Sequence, residues 1–264
     1  MKRTNWAVWG VLGCAALLCG RPDLSRADDL NLGDLATDAS QYFTAPLRWD
    51  SSDWMFFGGS IAAVGLAHAF DNRVRDEFAP PGVAGVTGTD KNSVRDAIPA
   101  ASMVVGTWVV AEFMGDSFGK TEAYTMLEAA GFSAITTEVA KYAAGRVRPD
   151  ATTDPNDWRT GGNSFPSLHS SAAFAIGTVF AESGEDDYRW VRRFIGYGMA
   201  SATVYLRLHD NQHWLSDTIA GSAIGIASGR FSTHHRLERA KDWNLSLAPS
   251  QHGGAMLTFN MIVD

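Results

Sequence analysis

The sequence predicts an all-α fold, a compact bundle of about six core helices completed by a short C-terminal β-hairpin. Long stretches without charged residues, rich in Gly, Ala and apolar residues, predict buried helices. Stretches rich in Pro, Gly, Asp and Asn separate them and predict loops. A chain of 264 residues can bury one full-sized core, so a single helical domain is expected.

Six segments carry the helical pattern. They are residues 54–70, 93–114, 121–145, 170–181, 189–208 and 213–230. None contains an uninterrupted apolar run of about 20 residues, the length that crosses a bilayer, so core helices are expected rather than transmembrane spans. Near the C-terminus, residues 244–248 and 256–260 alternate around Gly253-Gly254, which predicts the hairpin.

The predicted organisation has four parts. They are a signal peptide over 1–27, an acidic lead-in over 28–50, a helical domain over 51–235 and a hairpin tail over 236–264. A basic start, a short apolar run and small residues around Ala27 are typical of a secretory signal. The protein is therefore expected to be exported, periplasmic or associated with the outer envelope. A retained membrane anchor and lipidation at Cys14 are the alternatives.

Charge and cysteine content exclude several function classes. Without residues 1–27 the chain would have 18 basic and 28 acidic residues, a net charge of −10. No nucleic-acid partner is expected, because binding to phosphate backbones needs a basic face. Both cysteines, Cys14 and Cys19, lie in the predicted signal, so the mature chain would lack disulfides, thiol nucleophiles and thiolate metal sites.

Arg207, His213 and Asp217 suit one chemical task. If His213 and Asp217 are i and i+4 on a helix, they lie on one face. A carboxylate there can orient the imidazole and leave its second nitrogen free to attack. The planar guanidinium of Arg207 could bind an anionic phosphoryl group beside it. An isolated pair of this kind is more often a structural helix cap.

Two further clusters lie upstream. Lys141 and Arg148 are seven residues apart, so both cations could face one side of a helix while Arg146 turns away. Alone, they could equally be a solvated basic helix end. Ser167 and His169 open the next helix, whose N-terminal amides can bind an anion. His169 is placed to give a proton to a departing oxygen, although an N-cap serine and a first-turn histidine would look the same.

In chain order the three clusters are Lys-x6-Arg-Pro, Pro-Ser-x-His and Arg-x5-His-x3-Asp. This pattern resembles the signature of the type 2 phosphatidic acid phosphatase superfamily, which includes bacterial acid phosphatases and vanadium haloperoxidases. The motifs cover 141–217, and the helical pattern extends the resemblance to about 54–230. Leu168 stands where the family usually has glycine, and Leu206 stands where it usually has serine.

The resemblance implies hydrolysis of a phosphate ester or a lipid phosphate through a phosphohistidine, with no metal and no other cofactor. It implies that His213 is the nucleophile, that Asp217 orients it, and that His169 is the general acid and then the base. A further group would hold the phosphoryl oxygens. Its members are Lys141, Arg148, Ser167, Arg207 and the backbone amide of Leu168.

Three alternatives remain open at this stage. The same pocket could bind vanadate on His213 and act as a haloperoxidase, or the protein could be a non-catalytic envelope-associated binding protein. His209, His213 and Asp217, at i, i+4 and i+8, could hold a metal, but that reading leaves the three cations unexplained. Composition also suggests that helix 54–70 and the hairpin form an edge that contacts a membrane surface.

Overall fold

The computed structural model describes residues 32–78, 93–184, 189–237, 243–249 and 255–261. The predicted signal peptide, with Cys14 and Cys19, lies outside the described residues. So do residues 79–92, between the predicted helices 54–70 and 93–114, and the predicted turn of the hairpin at 250–254.

Eight α-helices are found in the described part of the chain. They are α1 (Leu32–Thr44), α2 (Ser51–His68), α3 (Asp71–Phe78), α4 (Ser93–Met114), α5 (Ser117–Ala144), α6 (Leu168–Glu182), α7 (Arg189–His209) and α8 (Leu215–Ser232). A 3-10 turn over Ala45–Arg48 follows α1, and a π-helical turn over Thr233–Leu237 follows α8.

The predicted fold class needs correction. The described chain has eight helices rather than about six. Where side chains are described, the fold is all-α without a strand, so the expected C-terminal β-hairpin is not shown as part of it. Beyond that region only a backbone pairing is described, in which β1 (Trp243–Pro249) runs antiparallel to β2 (Ala255–Met261).

The two unexpected helices, α1 and α3, are held by contacts with distant parts of the chain. In α1, the ring of Tyr42 stacks on Phe132 at 4.9 Å and its hydroxyl lies 2.7 Å from Oγ of Ser228. In α3, Asp71 is buried and accepts a hydrogen bond from the backbone of Ser216. Short helices with few apolar residues lack the periodic stripe that predicts a helix, so tertiary contacts decide them.

The long helices alternate in direction, so their ends lie together at the two opposite ends of the bundle. At one end, Arg207 near the end of α7 pairs with Asp96 near the start of α4. At the other end, Arg192 near the start of α7 pairs with Glu122 near the start of α5. All residues of the predicted site belong to the first end, which we call the site end.

Helix α6 is central and packs against α5, α7 and α8. Its apolar contacts with α5 are made by residues such as Met126, Ala129, Ile176 and Val179. Against α8 the backbones themselves approach each other. A Cβ atom on Gly221 would lie 2.4 Å from the carbonyl oxygen of Ser167, and one on Gly225 would lie 2.3 Å from that of Ser171. Only glycine allows helices to pack this closely.

The outer surface carries many large apolar side chains. In α2, Met55 is 73% exposed and Leu66 is 67% exposed, and only Ala67 of that helix is buried. The stretch Val94–Met114 of α4 is long and apolar enough to cross a membrane, and 22% of its most apolar window is buried. The sequence predicts a core helix here, whereas by length and composition alone α4 qualifies as a candidate membrane span.

Candidate active site

His213 lies in the short connection between α7 and α8, at the site end of the bundle. Helix α8 begins at Leu215 with Trp214 as its N-cap residue, so His213 precedes the helix rather than opening it. The indole Nε1 of Trp214 donates to the carbonyl oxygen of Val147 at 2.9 Å, which joins this connection to the segment after α5. The imidazole is buried, with 3% of the residue exposed.

Asp217 is one turn into α8 and faces His213. Its Oδ2 lies 3.5 Å from Nδ1 of His213, and no hydrogen-bond partner is found for that Nδ1. The same Oδ2 accepts from the backbone N–H of Trp214 at 2.9 Å and from Oγ of Ser164 at 2.5 Å. These bonds fix the carboxylate, so a small movement of the imidazole would complete its bond to Asp217.

Three cations of the predicted motifs lie around this histidine. Arg207 is fully buried and donates from Nη1 to Oδ2 of Asp96 at 2.8 Å. Arg148 donates from Nη1 to Oε1 of Gln212 at 2.6 Å, and Nζ of Lys141 lies 3.3 Å from Oε1 of Glu138. The structure thus gathers three cationic side chains around the imidazole.

The electrostatics of the site favour a neutral imidazole. Burial and the surrounding positive charge lower the pKa of His213 well below its usual value of 6.5. After burial, the contributing groups are, in order, Arg207, Arg148, Lys141 and His169. Burial also lowers the pKa of Lys141, with Arg148 and Arg207 acting in the same direction. A neutral imidazole at neutral pH is the form that can attack.

The N-terminus of α6 forms another side of the site. Ser167 is its N-cap residue; its Oγ accepts from the backbone N–H of Ser170 at 3.4 Å and from Oγ of Ser170 at 3.0 Å. The backbone N–H of Ser167 donates to the carbonyl oxygen of Asp217 at 3.0 Å, which ties α6 to α8. Leu168 and His169 follow in the first turn and are half-buried.

The sequence comparisons agree with this geometry. A family model described as the PAP2 superfamily covers residues 122–241. Residues 122–241 match the PAP2 superfamily. The resemblance predicted from the three motifs is confirmed, and all eight predicted site residues fall inside the matched segment.

A curated relative matches part of the chain. Lipid A 1-phosphatase of Porphyromonas gingivalis (strain ATCC 33277) is 39% identical over 89 residues. The match covers 34% of this chain and 18% of the relative, so the chain aligns with less than a fifth of that protein. No solved structure matches significantly.

Arg146 is the residue of the PAP2 segment that the sequence interpretation placed wrongly. It was expected to turn away, but its side chain is fully buried and donates from Nη1 to Oδ1 of Asp217 at 2.6 Å. Helix α5 ends at Ala144, and Gly145 adopts φ 56°, so helical periodicity does not apply to the residues that follow. The sequence feature that could have pointed to Arg146 is that the first motif contains a third cationic residue, between Lys141 and Arg148.

Two carboxylates outside the PAP2 segment also reach the site end. Asp71 of α3 accepts from Nη2 of Arg146 at 2.6 Å, and Asp96 of α4 pairs with Arg207. Neither belongs to the three motifs: in the sequence, Asp71 directly follows a predicted helix and Asp96 lies near the start of another. Their role is visible only once the fold brings α3 and α4 to the PAP2 helices.

The alternative metal site is not formed by the geometry. Residues 210–214 are not helical, so His209, His213 and Asp217 do not stack at i, i+4 and i+8. Nδ1 of His209 lies 3.2 Å from Oδ1 of the neighbouring Asp210, and the His209 side chain is 43% exposed. Among the described residues, no group of three or more His, Cys, Asp or Glu side chains is arranged to hold a metal ion.

Proposed function

We propose that this chain is a phosphatase that hydrolyses a lipid phosphate through a phosphohistidine on His213, without a metal ion. The observation that carries the proposal is a buried, neutral imidazole with a fixed carboxylate at 3.5 Å from one nitrogen and three cations nearby. The PAP2 match supports the phosphatase class. The relative's name, Lipid A 1-phosphatase, supports a lipid as the alcohol component of the phosphate ester that is hydrolysed.

In the first step, Nε2 of His213 attacks phosphorus and the bond from phosphorus to the ester oxygen breaks. His169 gives its proton to that oxygen, so the lipid leaves as a neutral alcohol. The attacking imidazole becomes positively charged, and Asp217 stabilises that charge through Nδ1. In the second step, water gives a proton to His169 and its oxygen attacks phosphorus, which releases phosphate and restores neutral His213.

The cations replace a metal in this scheme. Lys141, Arg148 and Arg207 hold the three equatorial oxygens of the phosphoryl group, whose negative charge moves during the transfer. Guanidinium groups suit this task because their donors are planar and remain charged at all relevant pH values. Ser167 and the amide of Leu168, at the start of α6, add neutral donors.

The outer surface supports a lipid environment and hence an envelope location. Helix α2 presents large apolar side chains such as Trp54, Met55 and Ile61 to the outside, and Phe113 near the end of α4 is 87% exposed. Surfaces of this size and polarity are unusual on proteins that contact only water. Contact with the apolar part of a membrane would cover them and would hold the site near the head groups of lipid substrates.

The function is tested by assaying the full chain in detergent micelles. We expect release of phosphate from phosphatidic acid and from 4-nitrophenyl phosphate, inhibition by vanadate and no effect of EDTA. The His213→Ala variant should be inactive on both esters. Activity that EDTA removes and zinc restores would contradict the metal-independent mechanism. Absence of phosphate release from either ester, with peroxide-dependent bromination after loading with vanadate, would replace the phosphatase by a haloperoxidase.

The membrane contact is tested by flotation with vesicles of anionic phospholipid. Wild-type protein should float with the vesicles, and the double variant Ile61→Lys, Leu66→Lys should float less, since two charges would enter the apolar surface of α2. Ser51→Lys, at the exposed start of the same helix, is the control for added charge. Equal flotation of all three proteins would contradict contact through α2.

A further inference from the structure

Below the proposed nucleophile, two buried carboxylates share one buried arginine. The guanidinium of Arg146 donates from Nη1 to Oδ1 of Asp217 and from Nη2 to Oδ2 of Asp71, each at 2.6 Å. The side chains of Arg146, Asp71 and Asp217 are all fully buried. One positive charge therefore faces two negative groups in a region without solvent.

The surroundings hold this arginine in one orientation. Its guanidinium carbon lies 4.4 Å from the ring centre of Trp158 and 5.2 Å from that of Trp214. Its Nη2 also donates to the carbonyl oxygen of Pro155 at 2.7 Å, and its Nη1 donates to Oγ of Ser216. Aromatic rings and carbonyl oxygens on several sides fix a planar cation better than one ion pair can.

The two oxygens of Asp217 have different partners. Arg146 binds Oδ1, whereas Oδ2 is the atom that lies 3.5 Å from His213. We infer that Arg146 is a positioning residue for the proposed nucleophile: it holds Asp217 through an ion pair to Oδ1 and leaves Oδ2 facing the imidazole. This inference rests on the proposed function, and it adds a residue that acts through Asp217 rather than on the phosphate.

The charge of Asp217 depends closely on this contact. Burial raises its pKa to about 6, and Arg146 is the largest influence that lowers it. Without the arginine, the pKa of this carboxyl would be higher, so it would be protonated over a wider pH range and would stabilise a positively charged His213 less. Asp71 should have the opposite effect on the pKa of Asp217, because its carboxylate offsets part of the positive charge of the same guanidinium.

Other titratable groups around Asp217 must be considered in any pH experiment. His68 contacts Asp71 through Nδ1 at 2.9 Å, and His213 faces Asp217 directly. Beyond His213 lie the charged groups already described as lowering its pKa. They are Lys141, Arg148, His169 and Arg207. The variants used below leave all of these side chains in place, and Asp71→Asn also removes the carboxylate that His68 contacts.

The test compares the acid limb of the pH profile of kcat/KM for 4-nitrophenyl phosphate in three variants. Asp217 must be ionised to act, so activity falls as the pH drops through its pKa. Arg146→Gln should move this limb upward by at least about one pH unit. Asp71→Asn should move it downward, because the arginine then serves Asp217 alone. KM and inhibition by inorganic phosphate should stay near wild type in both variants.

Arg192→Gln is the matched control. Arg192 also pairs with a buried carboxylate, Glu122, and its guanidinium carbon lies 4.1 Å from the ring centre of Phe180. It precedes Arg207 by fifteen residues on α7, about 22 Å along the helix axis. It should lower thermal stability without moving the acid limb.

Opposite shifts in the first two variants support the inference, since both break the same ion pair and a structural role would change them alike. Shifts in one direction, or lower stability with an unmoved limb, overturn it. If Arg146→Gln does not fold, Asp71→Asn still decides, and Arg146→Lys should keep the wild-type limb with a lower kcat.

NMR spectra of protein with 15N-labelled histidine follow the titration of His213 without substrate. If the wild type hydrolyses no ester, the proposed function fails, and the Arg146 contact is still judged from the His213 titration.

Discussion

Arg207 and Asp96 form an ion pair of 2.8 Å in which neither side chain is exposed. Asp96 comes from the first turn of α4, outside the three motifs, and its other oxygen accepts from Arg95. The carboxylate thus fixes the direction from which one phosphate-binding cation of the proposed mechanism enters the site.

Asp96→Asn should lower kcat about tenfold to a hundredfold with little change in KM, because Arg207 keeps its charge but loses its fixed orientation. Steady-state kinetics with 4-nitrophenyl phosphate measure this. Asp210→Asn is the control, since Asp210 also pairs with Arg95, whereas the carboxylate that pairs with Nη1 of Arg207 belongs to Asp96 and is unchanged. Equal kcat values for Asp96→Asn and wild type would contradict the prediction.

His213→Ala should reduce turnover by at least about a thousandfold, because the variant lacks the group that forms the covalent intermediate in the proposed mechanism. His209→Ala should retain nearly full activity, since that imidazole is partly exposed and lies beside Asp210. Initial rates together with thermal unfolding curves show whether each variant is folded. A similar loss in the two variants would favour the metal site over the phosphohistidine.

His169→Ala should affect poor leaving groups more than good ones. An alkyl alcohol needs a proton as it departs, whereas 4-nitrophenolate leaves readily without one. We expect a loss of about a hundredfold to ten-thousandfold on alkyl phosphates and a clearly smaller loss on 4-nitrophenyl phosphate. Rates across a series of esters with graded leaving-group pKa values measure the difference, and parallel losses throughout would exclude His169 as the acid.

Gly221→Ala should lower both activity and stability, because the new Cβ atom would lie 2.4 Å from the Ser167 carbonyl oxygen and push α6 away from α8. A cost of about 1–3 kcal/mol in the free energy of unfolding is expected. Gly58→Ala is the matched control, because nothing lies within 4 Å of its new Cβ atom. It should be neutral or slightly stabilising. Urea unfolding would contradict the prediction if both variants behaved alike.

The sequence predicted the long helices well. The segment 189–208, for example, corresponds to α7 at Arg189–His209. It failed for α1 and α3, because both are short and are stabilised by contacts with residues far along the chain. It also extended helical periodicity from Lys141 to Arg148, whereas α5 ends at Ala144 and Gly145 turns the backbone.

The predicted site residues could be named because chemistry fixes their types and spacing within three short motifs. Their catalytic roles stay predictions. Arg146, Asp71 and Asp96 could not be found in the same way, because an ion pair between distant segments leaves no spacing in the sequence. What these residues share is burial of charge, which only the fold reveals.

The contact of Gly221 and Gly225 with the backbone of α6 closes the interface between α6 and α8. An ester cannot enter between those two helices, and neither can the phosphate leave there. In the proposed phosphohistidine mechanism the alcohol departs first, so inorganic phosphate is the last product to leave through the site end. Accumulating phosphate should then compete with fresh ester for the free enzyme, so hydrolysis would slow as its own product builds up.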